Sequence, residues 1–117
     1  MQAFVLLQFL YCQFHQLFFG EEKALLPNLA KKHNHIQVVK KFGKACSYPG
    51  TFMGSIHAMI TSNNYKSAII KTIKAGGCNC SRANFVGAYF AAYKGLKNIP
   101  PPWIKKTISA KNILKYI

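Results

Sequence analysis

Aspartate is absent from this 117-residue sequence, and Glu21 and Glu22 are its only side-chain carboxylates. Paired-carboxylate acid/base catalysis and hard-cation sites both need several converging Asp or Glu groups. Two adjacent glutamates project in different directions from a helix or a strand, so they do not converge on one ion. Any metal or glycosidic chemistry in this fold draws its carboxylates from elsewhere, and no residue of the chain is assigned a catalytic role. Arginine is nearly as scarce: Arg82 stands alone against fifteen lysines. Arginine reads guanine edges and grips phosphate in bidentate fashion, and the lysines are scattered rather than gathered in one block. A net charge of +14 therefore points to solvated helix faces, with no specific nucleic acid as partner. Nonspecific polyanion binding by counterion release stays open as an alternative function.

Cysteine is sparse as well. Cys78 and Cys80 are too close for an easy mutual disulfide and match no common zinc spacing. Nothing resembles a disulfide framework, so a reducing, intracellular compartment is the expectation. The apolar stretch Met1 to Phe19 lacks a basic leader region and a small-residue cleavage site, and Gln8, Gln13, His15 and Gln16 interrupt it. It reads as a buried helix rather than a signal peptide or a membrane span, and no membrane partner is expected.

What the chain has in quantity is helical signal. Half of its residues are hydrophobic, and no segment shows convincing strand alternation. Ile36, Val39 and Phe42 recur at helical spacing with lysines opposite. Ser47-Tyr48-Pro49-Gly50 is a turn signal, and Thr51 can cap a helix carrying Phe52, Ile56, Met59 and Ile60. Ser62-Asn63-Asn64 closes that helix and can cap the next, which has its stripe on Tyr65, Ala68, Ile69, Thr72 and Ile73. Gly76-Gly77 ends that helix, and Cys80 or Ser81 opens another that runs to about Lys94, where Gly95 and Pro100 to Pro102 stop it. Ala83, Gly87, Ala88, Ala91 and Ala92 let a neighbouring helix approach closely. Trp103 anchors a short turn to the body, and residues 108–117 form a weakly helical tail. The fold class is all-α.

Among single residues, His57 reads as a partly buried histidine, His33 and His35 as solvated, and Phe85, Phe90 and Tyr93 as an exposed apolar face. Tyr48 and Phe52 flank the Pro-Gly turn and could contact an adenine, although core packing is the simpler reading. The turn Gly76-Gly77-Cys78-Asn79-Cys80-Ser81-Arg82 is the prime site candidate. Its glycines permit positive φ and close backbone approach, and the following helix presents unpaired N–H groups to an anion.

Two segments go further. Phe42-Gly43-Lys44-Ala45-Cys46-Ser47-Tyr48-Pro49-Gly50-Thr51-Phe52-Met53-Gly54-Ser55-Ile56-His57-Ala58 and Ala75-Gly76-Gly77-Cys78-Asn79-Cys80-Ser81-Arg82-Ala83 resemble the ADP-ribosylglycohydrolase family, in particular its branch of selenoprotein J and the jellyfish J-type crystallins. Phe85-Val86-Gly87-Ala88, Gly95-Leu96, Ile99-Pro100 and Trp103-Ile104 extend the likeness over residues 38–109. The resemblance implies an all-α fold of which residues 36–109 form a C-terminal region. Residues 1–35 would be an apolar helix and connector of unclear origin, and residues 110–117 a tail.

It also implies hydrolysis of glycosidic bonds to ADP-ribose with two Mg or Mn ions. The ions are held by an N-terminal Thr-Asp-Asp-type motif, missing here, and by a Gly-Gly-Asp-x-Asp-Thr turn. On that pattern Gly76 and Gly77 match. Cys78 and Cys80 replace the two metal-ligand aspartates, and Ser81 stands at the ligand threonine. Thiolate is a soft donor, so Mg is expected to bind poorly. A soft metal held with help from His57, or a redox pair, is the alternative for the two cysteines. By resemblance, Gly76, Gly77, Asn79, Ser81 and Arg82 contact ADP-ribose or its phosphates. The expected partners are ADP-ribose or an ADP-ribosylated substrate, and an N-terminal part of the fold. A non-catalytic, crystallin-like structural protein is the competing function.

Overall fold

The computed structural model describes residues 25–116. The apolar segment 1–19 and both glutamates lie outside the described residues. Within them every regular element is helical: α1 (Leu25–Lys32), α2 (His35–Phe42), α3 (Gly50–Ile60), α4 (Tyr65–Lys74), α5 (Asn79–Lys94), α6 (Pro101–Lys106) and α7 (Ala110–Ile113), with short 3-10 turns at Leu96–Asn98 and Leu114–Tyr116. No helix among the described residues is long and apolar enough to cross a membrane.

Helix α3 sits centrally, with α1, α2, α4 and α5 all packed against it. That position explains why its buried set, Met53, Gly54, Ser55, His57, Ala58 and Met59, is wider than one amphipathic stripe. Ile60, expected in the stripe, is half exposed at the helix end. The main core joins Ala58 and Met59 of α3, Ala68 and Ile69 of α4, and Val86 and Phe90 of α5. Phe90 is thus a core residue, whereas Phe85 and Tyr93 are exposed as expected. Gly87 makes the close approach that the small-residue run predicts. A Cβ there would lie 3.3 Å from the Tyr65 hydroxyl and 3.6 Å from Ile69 Cδ1. Trp103 packs edge-on to Tyr65 at 6.0 Å between centroids, which ties α6 to the body.

Caps follow local chemistry. Asn34 closes a capping box with Gln37 at the start of α2. Asn64 Oδ1 accepts the Ser67 N–H at 2.8 Å, as the sequence predicts. Asn64→Ala should lower stability by about 1 kcal/mol, read as a fall in the urea midpoint without change in slope. Thr51 is not the cap of α3. The helix starts two residues earlier than that cap implies, at Gly50, and the Thr51 hydroxyl donates instead to Ala45 O at 3.3 Å. Gly50 tolerates no side chain, since a Cβ would fall 2.3 Å from Gly43 O.

Candidate functional site

The turn between α4 and α5 is built on two consecutive positive-φ glycines, Gly76 at 71° and Gly77 at 74°. Its floor is the segment after α2. Lys44 O accepts the Cys78 N–H at 2.8 Å, and Asn79 N–H donates to Gly77 O at 2.8 Å. Gly77 rests on Lys44 so closely that a Cβ would lie 2.5 Å from both Lys44 Cβ and Lys44 O. Lys44 also brings its ammonium over the turn, 3.8 Å from where a Gly76 Cβ would be. Helix α5 then opens at Asn79, slightly earlier than expected, with Cys78 as an N-cap residue that makes no side-chain capping bond.

Cys78 is otherwise engaged. A disulfide joins it to Cys46, 32 residues away, which corrects the expectation of reduced, unlinked cysteines. Cys78 Sγ carries no proton, so the Ser81 hydroxyl (3.3 Å) and the Cys80 thiol (3.8 Å) donate to it. Cys80 is free and exposed. The three positions that resemble metal ligands therefore present a disulfide sulfur, a thiol and a hydroxyl. Among the described residues no group of three or more His, Cys, Asp or Glu side chains is placed to hold a metal ion. The soft-metal alternative also loses His57, which is buried in a different pairing.

Arg82 approaches the turn from inside. Its side chain is fully buried, and Nη2 donates to Gly76 O and, at 3.2 Å, to Asn79 Oδ1. Nε and Nη1 are buried without a hydrogen-bond partner among the described residues. Burial pushes the guanidinium below its ordinary pKa. Gly54 of α3 supplies the space, since a Cβ there would meet Arg82 Cδ at 2.8 Å. The arginine expected to grip a ligand thus lies behind the turn and shapes it. Gly77 and Cys80 are exposed, and Gly76, Asn79 and Ser81 are half-buried on the turn itself.

A second buried polar group lies deeper. His35, expected to be solvated, is 5% exposed, and His57 is 1% exposed. Their Nδ1 atoms are 3.2 Å apart, and His57 Nε2 is 3.2 Å from His33 O. The carbonyl accepts, so a neutral His57 carries its proton on Nε2 and His35 donates through Nδ1. That leaves His35 Nε2 buried with no partner among the described residues. Desolvation first, then the His57, Lys71 and Arg82 charges, bring His35 down to about 4 from 6.5. The unfolded chain therefore binds a proton at higher pH than the folded one. Stability contributed by neutral His35 is complete above about pH 6.5 and is lost as pH falls toward 4. The loss should be about 2 kcal/mol after allowance for solvent screening. Urea midpoints between pH 7 and 4 test it: the slope should flatten in His35→Phe, and an equal slope in both proteins contradicts the assignment.

A family model described as ADP-ribosylglycohydrolase matches residues 15–116. Crystallin J1A of Tripedalia cystophora is 42% identical over 78 residues, covering 67% of this chain and 24% of that protein. Crystallin J1B of the same organism is 34% identical over 82 residues, covering 70% and 26%. The chain thus spans about a quarter of the length of these curated relatives. No solved structure matches significantly.

Proposed function

The chain belongs to the ADP-ribosylglycohydrolase family, and from that premise we propose that its turn binds the diphosphate of ADP-ribose without metal and without hydrolysis. The observation that carries this reading is the donor set at Cys78, Cys80 and Ser81, which contains no carboxylate and has one sulfur locked in a disulfide. Mg and Mn ions take hard oxygen ligands, so these residues do not fit them. The family generally uses metal ions on ADP-ribosylated substrates, and in this chain no step is assigned to an ion.

Several features favour an anion at the same place. The first turn of α5 offers the N–H groups of Cys80 and Ser81, those of Cys78 and Asn79 being taken by Lys44 O and Gly77 O, and the helix dipole adds positive potential there. Lys44 contributes its ammonium at Gly76. Arg82 positions the turn through Gly76 O and Asn79. Tyr48, Phe52 and Phe85 form a ladder of rings with centroids 6.3 and 6.2 Å apart. Tyr48 lies two residues beyond Cys46, and Phe85 one helical turn beyond Ser81, so the ladder flanks the turn and offers faces for an adenine.

Isothermal titration with ADP-ribose in EDTA tests the reading. Binding should be measurable without metal and should weaken about tenfold in Lys44→Ala or Ser81→Ala, the loss of one charge-assisted contact. Heat that appears only with Mg, or that survives both substitutions, sinks it. The two crystallin relatives favour a second reading, a structural protein that keeps the fold without a ligand. Absence of heat under every condition would support that reading instead.

A further inference from the structure

We propose that Cys46, Cys78 and Cys80 form a three-sulfur exchange centre in which the Cys80 thiol opens the Cys46–Cys78 disulfide. By the family resemblance Cys78 and Cys80 stand where metal-ligand aspartates would be, and with Cys46 their arrangement suits sulfur chemistry instead. Cys80 Sγ lies 3.8 Å from Cys78 Sγ, close to sulfur–sulfur contact. Cys80 and Cys46, the residues of the attacking and the leaving sulfur, are both exposed, while Cys78 between them is half-buried. No carboxylate among the described residues repels an approaching thiolate. Holding a nucleophile beside its target replaces a bimolecular encounter with an internal step.

In that step Cys80 Sγ, as the thiolate, attacks Cys78 Sγ. The Cys78–Cys80 bond forms, the Cys46–Cys78 bond breaks, and its electron pair leaves on Cys46 Sγ, which takes up the proton Cys80 gave away. The number of disulfides is unchanged, so no oxidant or reductant is needed. The product spans one residue at the start of α5, so the first helical turn must loosen. Gly76 and Gly77, immediately before Cys78, supply the backbone freedom for that.

The consequence is local. The segment that carries Lys44 loses its covalent tie to the turn and keeps only the Cys78 N–H to Lys44 O bond. Cys46 becomes an exposed thiol, available to a protein or small-molecule disulfide. The centre therefore couples thiol exchange to the floor of the turn, and it does so whether or not ADP-ribose binds.

The test uses the full chain in a Cys12→Ser background, so that only these three cysteines are present. The protein is trapped with N-ethylmaleimide without reductant and mapped by non-reducing peptide mass spectrometry. Most molecules should carry the label on Cys80, and a minor fraction should carry it on Cys46 with Cys78 linked to Cys80. The Cys46 label should vanish in Cys80→Ser. In Cys46→Ser, oxidised glutathione should close Cys78–Cys80, read as a loss of two hydrogens. Label confined to Cys80 overturns the proposal, as does Cys46 label that persists in Cys80→Ser. A Cys46→Ser protein that stops at the glutathione mixed disulfide overturns it equally.

Discussion

Gly77→Ala should cost about 3–4 kcal/mol of folding stability, while the adjacent Gly76→Ala costs about 1–2. Both glycines hold φ near +70°, so an alanine at either pays the same left-handed strain. They differ in what the new methyl meets. At Gly76 it finds only Lys44 Nζ, at 3.8 Å and free to move. At Gly77 it overlaps Lys44 Cβ and O at 2.5 Å and approaches Cα at 3.1 Å. That backbone has little freedom to retreat, because Lys44 O accepts the Cys78 N–H and Cys46 is bonded to Cys78. Urea denaturation of the two variants measures the difference. Equal losses would mean that the turn does not rest on Lys44.

Arg82→Ala should be similarly severe, at about 3–5 kcal/mol. It removes the largest fully buried side chain among the described residues and leaves Gly76 O without its donor. Arg82→Met separates volume from charge. A buried ion pair broken from one side costs about 3–5 kcal/mol, because the partner charge is stranded. Among the described residues Arg82 has no carboxylate partner, and two of its guanidinium nitrogens are unsatisfied. Methionine keeps most of the packing and removes an expensive buried charge, so it should recover more than half of the alanine loss. A methionine variant as unstable as the alanine would reveal an acidic partner for Arg82.

The sequence was most legible where the determining contacts are local. Asn64 caps through a residue three positions away, and Gly95 takes the positive φ that ends α5; Pro100 to Pro102, read as a stop, also open α6 at Pro101, where proline costs nothing. The helical class followed from apolar spacing alone. The turn at Gly76 was visible through its glycine pair and through the residues shared with a known family. Its support was not. Lys44 and Cys46 lie more than thirty residues from Gly77 and Cys78, and no periodicity or capping rule links them. The same holds for His35 and His57, 22 residues apart in sequence. The polar run around His33 reads as solvated, yet the fold folds one histidine of it under α3. The burial of Arg82 was equally hidden, because a charged residue at a helix start reads as a surface group. Gly54 was the available hint, as a glycine inside a helix that makes room for a large neighbour.

On the proposed reading these contacts share one meaning: protein atoms hold a turn that the family resemblance assigns to metal ions. A disulfide fixes Cys78, Lys44 O fixes its amide, and Arg82 fixes Gly76 and Asn79. The most direct measurement is thermal melting of the oxidised chain in EDTA, compared with melting in excess Mg or Mn. The two curves should superimpose. A melting temperature that rises with either ion and falls back on chelation would show that an ion binds the folded chain, and the account of a metal-free turn would be wrong.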